Sequence, residues 1–195
     1  MQKFIKRIFD IFVSLIILII LFPFGLLTAV LIKLDSKGPV FFFQDRPGLK
    51  GKIFKIYKFR TMNLGSEVMI KGKEVMKDDV RVTKVGKVLR RLKIDEMPQI
   101  INVLKGDMSL IGPRPERIAS LKDYDEEISK RLNVLPGMTG LAQVCGNIYL
   151  PLEERYKLDV YYVEHFSLIL DLKILIRTVE VVLLGEERYK DKKIY

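Results

Sequence analysis

The stretch "RRLKIDEMPQIINVLKGDMSLIGPRPE", residues 90–116, carries the most information in this chain. Two adjacent acids, Asp95 and Glu96, follow a basic cluster and precede Pro98 and an apolar run of Ile100, Ile101, Val103 and Leu104. Proline fits a helix only in its first turn, so the spacing predicts a helix that starts near Asp95 and stops by Gly106. An acid in that turn meets free N–H groups and the positive end of the helix dipole. It stays ionised there, ready to bind a cation or attack an electrophile. The plainer alternative is that Asp95 caps the helix and Glu96 complements the dipole. Further on, Arg114 stands between Pro113 and Pro115. Their fixed φ stiffens the backbone, which lowers the entropy lost in holding an anion. An ordinary proline-rich turn has the same sequence.

The other informative stretch is "IFVSLIILIILFPFGLLTAVLI", Ile11 to Ile32, which carries no charge. It is long enough to cross a hydrocarbon core as a helix and too long for a signal-peptide core. Basic residues flank it on both sides: Lys3, Lys6 and Arg7 before, Lys33 and Lys37 after. They give a single span no clear orientation. Pro23, near the middle, removes a backbone donor. Two topologies follow: a kinked transmembrane helix, or a re-entrant helix–break–helix that returns to the face it entered.

The chain has 195 residues, enough for one compact domain and an attachment. Lysine and arginine outnumber acids 34 to 24, for a net charge of +10. That balance suits an anionic partner: nucleic acid, anionic lipid or a phosphorylated small molecule. One cysteine, Cys145, rules out an internal disulfide, and with the single His165 there is no His/Cys cluster for structural zinc.

Around these two stretches, "GPVFFFQDRPGLKGKIFKIYKFRTM" has the pattern of two strands joined through Arg46-Pro47-Gly48. In the second strand, period-2 spacing puts Lys58 and Arg60 on one face with Phe54 and Ile56. They are either solvated strand charges or two cations converging on an anion. Residues 65–84 are polar and mixed in charge, the pattern of a loop with a short helix. From Val85 a helical pattern returns, with Lys87, Arg90, Arg91 and Lys93 around an apolar face. "LPGMTGLAQVCG", residues 135–146, is rich in turn formers. A last long helix is predicted from about Ser167 to Leu184, with Lys173, Arg177 and Glu180 on a polar face. Asp171 falls among the apolar positions, where a carboxylate is costly unless paired. It is either a buried ion pair or a functional acid. His165 precedes this helix as a capping or packing residue. The chain has no GxGxxG, no GxxxxGK[ST] and no internal repeat.

Three blocks together, "KIYKFRTM" at 55–62, "IDEMPQIINVLKGDMSLIGPRPE" at 94–116 and "ERYKLDVYYVEHFSLILDLKIL" at 154–175, resemble the bacterial sugar transferase family, the small monotopic phosphoglycosyl transferases. The resemblance covers essentially the whole chain, and the length resembles the minimal catalytic form that initiates bacterial N-linked glycan assembly. It implies a helix-rich α/β (α+β) fold with an N-terminal re-entrant membrane helix broken at Pro23, a short β-hairpin and amphipathic interface helices. Residues 1–36 would be the re-entrant helix, and residues 37–195 a cytoplasmic, membrane-associated catalytic domain on the inner membrane.

The implied reaction moves a phosphosugar from a UDP-sugar to undecaprenyl (polyprenol) phosphate and releases UMP, through a covalent phospho-aspartyl intermediate and with Mg2+. Asp95 would be the nucleophile and Glu96 its partner, both as metal ligands. Lys58, Arg60, Arg90 and Arg114 would cradle phosphates, and Asp171 would join the polar network of the site. The implied partners are the two substrates and membrane lipid, with downstream glycosyltransferases and without nucleic acid. Two positions depart from the family pattern: Phe22 where relatives often have serine, and Asn147 near a position where relatives often have arginine. A basic binding module or a membrane scaffold would also suit the charge and the apolar segment, but neither accounts for three co-occurring blocks.

Overall fold

The computed structural model describes residues 2–66, 79–190, 192, 194 and 195. The loop with a short helix expected over residues 65–84 therefore lies in part outside the described residues.

Helix α1, Gln2–Asp35, is one helix that carries Pro23 inside it rather than between two helices. It is long and apolar enough to cross a membrane. Its packing inverts that of a soluble amphipathic helix. The side chains it buries are Asp10, Ser14, Thr28 and Ile32, three of them polar. Phe4, Phe12, Ile19, Phe22 and Leu34 face outward, with Ile19 at 74% exposure. An apolar outer face this long has no reason to exist in water. Half-buried residues at positions 13, 17, 18, 21 and 25 continue the inner stripe between the polar ones. Spacings of three and four keep that stripe on one side of the helix.

Both ends of α1 are fixed to the rest of the chain. After the linker, β1 (Phe41–Pro47) and β2 (Ile53–Phe59) form an antiparallel hairpin, with Phe41 opposite Phe59 and Arg46 opposite Phe54. Helix α2, Lys84–Arg91, starts at Thr83, whose hydroxyl accepts from the Gly86 N–H at 2.9 Å. Gly86 must be glycine, because a Cβ there would sit 2.2 Å from the Thr61 carbonyl oxygen. Helix α3, Gln99–Lys105, ends at Gly106 with φ of 90°, a left-handed stop that favours glycine.

Near its N-terminus, α1 is held by Arg7, which donates to the carbonyls of Val103 and Leu104 at 2.7 and 3.0 Å. These belong to the last turn of α3, where carbonyls lack helical partners. Near its C-terminus, Asp35 accepts from the Val85 N–H at 2.8 Å, and Ile32 packs with Phe59 and Leu89.

Strand β3, Ser109–Ile111, pairs in parallel with β4, Gly137–Thr139. Between them lies the short helix α4, Glu126–Ser129; after them come α5, Leu141–Val144, α6, Leu152–Glu164, and α7, Leu168–Leu184. Ser167, where the sequence placed the start of this helix, caps α7 by accepting from the Leu170 N–H. The core unites Ile100, Val103, Met108, Ile111, Leu141 and Ile174, so it sits where α3, β3, α5 and α7 meet. The structure is helix-rich α/β with a hairpin, as the sequence implied.

Candidate active site

The acid pair lies in a short 3-10 turn, Ile94–Glu96, between α2 and α3. This corrects the expected helix start. Pro98 is the N-cap of α3 and no side chain caps that helix, so Asp95 is neither a cap nor in its first turn. The turn begins after Lys93, which holds a left-handed φ of 58°. That kink separates the basic end of α2 from the acids and turns the pair inward.

The two acids meet different surroundings. Glu96 is clamped from two elements. Lys58, on β2, donates to its Oε1 at 2.8 Å; Arg114 donates to Oε1 at 2.6 Å and to Oε2 at 3.2 Å. Burial pushes the Glu96 carboxyl up, but Arg114 and Lys58 overcome it and hold the group well below the ordinary glutamate range. The same contact with Glu96 raises Arg114 against the effect of burial. Asp95 is buried, at 9% exposure, and no hydrogen bond to its carboxylate is present among the described residues. Burial first, and the Glu96 charge second, raise its pKa above the ordinary aspartate value. Lys58, Arg90 and Lys93 act in the opposite direction.

Arg114 is fixed from behind as well as by its prolines. Its carbonyl accepts from Arg131 Nη2 at 2.8 Å. Arg131 also bonds Asp159 and the Tyr124 hydroxyl, and its guanidinium lies 4.6 Å from the Tyr156 ring centroid. Burial raises the Asp159 carboxyl to about 6 despite Arg131. Arg90 approaches the acids from α2 and donates to the Thr61 hydroxyl at 2.8 Å.

Lys93 pairs with Glu186 at 3.1 Å, and Asn147 donates to the same oxygen at 3.0 Å. Asn147 thus reaches this neighbourhood through Glu186, with a left-handed φ of its own, 48°. Arg46, at the end of β1, donates to Gln44 Oε1 at 2.7 Å and stands in the field of Arg114, Glu116, Arg117 and Glu96.

Lys58, Arg90, Arg114, Asp95 and Glu96 are therefore brought together, and two expected members are not. Arg60 turns away and donates to the carbonyls of Pro39, Lys37 and Ser36 at 2.6, 2.7 and 2.9 Å. It organises the linker after α1 rather than a phosphate site, because its N–H groups are committed to backbone. Asp171 accepts from Lys6 at 2.7 Å and from the Tyr162 hydroxyl at 2.7 Å. It is the buried ion pair, binding α7 to α1, with no contact to the acid pair. Burial pushes it up, against Lys6. His165 caps α6 and stacks on Tyr161, the packing role expected of it.

Sequence reasoning missed Arg46, Arg131 and Asp159. The Arg46-Pro47-Gly48 signal was legible only as a turn. Nothing in the spacing of Arg131 and Asp159 announces that they meet.

Mg2+ fits this donor set. It takes oxygen ligands, commonly one or two carboxylates with water and phosphate oxygens completing the shell. Among the described residues neither Asp95 oxygen accepts a hydrogen bond, and Glu96 Oε2 carries one contact, at 3.2 Å. Among the described residues no cluster of three or more His, Cys, Asp or Glu exists to hold a metal without substrate.

The chain matches the bacterial sugar transferase family over residues 1–185. It is 46% identical to the uncharacterized sugar transferase EpsL of Bacillus subtilis, over 93% of this chain and 89% of that protein. It is 48% identical to the UDP-N-acetylgalactosamine-undecaprenyl-phosphate N-acetylgalactosaminephosphotransferase of Aeromonas hydrophila, over 93% of this chain but 44% of that longer protein. With the exopolysaccharide production protein PSS of Rhizobium leguminosarum it shares 43% identity, over 92% of this chain and 95% of that one.

Proposed function

The chain belongs to the bacterial sugar transferase family, and from that premise we propose that it transfers a phosphosugar from a UDP-sugar to undecaprenyl phosphate with release of UMP. The observation that carries the proposal is the division of labour between adjacent acids: Glu96 is held by two cations, while Asp95 is a buried residue whose oxygens accept no hydrogen bond among the described residues.

Both substrates are anionic, so direct attack of one phosphate on the other meets repulsion. A carboxylate nucleophile divides the transfer into two steps. An Asp95 oxygen attacks the phosphorus that bears the sugar. The bond from that phosphorus to the bridging oxygen breaks, and UMP leaves with the electron pair. A phosphate oxygen of the lipid then attacks the same phosphorus, and Asp95 departs as a carboxylate. Glu96 keeps Lys58 and Arg114 oriented where phosphate charge must be met, and a guanidinium suits a phosphate bidentately. Asp95 and Oε2 of Glu96 would hold Mg2+, which when bound neutralises diphosphate charge.

Membrane placement follows the same logic. A helix with its apolar side outward and both ends fixed to one body supports a monotopic arrangement at the cytoplasmic face. The lipid phosphate, at the interface, would then reach the site without extraction.

The test is UMP release by purified protein in lipid, from a panel of UDP-sugars with Mg2+ and undecaprenyl phosphate. Mass spectrometry of protein incubated without acceptor should find the phosphosugar on Asp95. Folded wild type that releases UMP from no UDP-sugar would defeat the proposal.

A further inference from the structure

Arg46 makes no ion pair within 4 Å among the described residues, although Glu116 and Glu96 act on it from further away. Arg81, Arg114 and Arg131 face carboxylates. Arg7 and Arg60 donate to backbone carbonyls at 2.6 to 3.0 Å. Arg46 has one good acceptor, Gln44, and a long contact to the Pro115 carbonyl at 3.4 Å. Its Nε is buried with no hydrogen-bond partner among the described residues. The charge acting on it most strongly is that of Arg114, another cation. Burial and Arg114 together pull its guanidinium down to about 10. A buried donor left open beside a second cation is costly unless an anion completes it.

Its position says which anion. The Pro115 carbonyl that it reaches belongs to the loop that presents Arg114, and Arg114 already commits its fork to Glu96. Arg46 therefore stands beside the loop of Arg114 and within the electrostatic reach of Glu96, with donors to spare.

We propose that Arg46 binds a phosphate oxygen of the substrates, as a second guanidinium beside Arg114. This deepens the phosphosugar-transfer reading and rests on it. The shared chemistry is a phosphate, which either the donor diphosphate or the lipid acceptor supplies.

The experiment uses the full chain in lipid nanodiscs. UDP affinity is measured by calorimetry in Asp95→Asn, with and without Arg46→Gln or Arg46→Lys. The KM for undecaprenyl phosphate is measured in the same Arg46 variants with Asp95 intact. Arg46→Gln should weaken one of these by about 10- to 100-fold, with partial recovery in Arg46→Lys and an unchanged melting midpoint. Loss of UDP affinity assigns Arg46 to the donor; loss confined to the KM assigns it to the acceptor. Unchanged UDP affinity and KM in folded Arg46→Gln overturn the proposal. So do equal losses in both variants with a lowered midpoint, which would make Arg46 a prop for the Pro115 loop. If Asp95→Asn still releases UMP, the nucleophile assignment fails while the UDP affinities still judge Arg46.

Discussion

Two buried acid pairs in this chain are built from similar parts and do opposite things. Asp10 and Asp171 tie α1 to β3 and α7. Asp10 accepts from the Ser109 hydroxyl at 2.7 Å and the Leu110 N–H at 3.3 Å, while Asp171 accepts from Lys6 and Tyr162. All four of their oxygens have a donor. In the other pair Glu96 is equally satisfied, but Asp95 is not. A satisfied buried carboxylate holds elements together; an unsatisfied one keeps its lone pairs for chemistry.

The sharpest way to break that contrast is to neutralise one acid from each pair. Asp95→Asn should lower UMP release by at least about 10³-fold, and the protein should melt higher at neutral pH. The sign follows from the raised Asp95 pKa. Its stabilising contribution is complete below the unfolded value and is lost as pH rises through the folded one, so at pH 7 the ionised group costs stability. Asp171→Asn should do the reverse, although burial raises Asp171 as well, because it leaves the largely buried Lys6 without its carboxylate. Breaking a buried pair costs about 3–5 kcal/mol, read as a lower unfolding midpoint, while turnover per folded molecule stays close to wild type. If Asp171→Asn abolishes turnover in a folded protein, the contrast collapses.

Chelation probes the acid pair alone: EDTA should lower UMP release by about 10²-fold or more, restored by added Mg2+. Arg114→Lys should then lower kcat/KM by about 10-fold, since a point charge cannot reproduce the bidentate grip on Glu96. The smallest effect concerns pH. Activity needs ionised Asp95, so it should fall as pH drops through that raised pKa. In Glu96→Gln the residual activity should keep its acid limb, moved to lower pH, because one of the two influences that raise Asp95 is gone and Lys58 is released to act on it. A limb that stays in place would show that Asp95 is not the titrating group.

How much of this was legible beforehand depended on distance along the chain. The hairpin, the α3 stop at Gly106 and the Ser167 start of α7 are local signals, and the sequence carries them directly. The acids, Lys58 and Arg114 were recognisable because each lies in a block of distinctive pattern. Arg60 was assigned to the wrong task because period-2 spacing gives a face and not a partner, and the partners proved to be carbonyls more than 20 residues earlier. Asp171 was placed in the polar network of the site for the same reason, since the cation that holds it elsewhere lies 165 positions away. Placing Asp95 inside a helix failed because Pro98 became the cap itself, leaving the acids in a tighter turn before it.

The N-terminal helix also bears on how such a protein can be altered. Arg7 closes the end of α3, Asp10 holds β3, Lys6 neutralises Asp171 and Asp35 holds the start of α2. A membrane segment wired in this way is not an interchangeable anchor. A chimera that kept the hydropathy but replaced these residues with another protein's span would still reach the bilayer, yet it would arrive with an orphaned aspartate, open carbonyls and a loosened β3. Here the lipid-facing helix is a structural part of the folded body, and the two can be moved to another context only together.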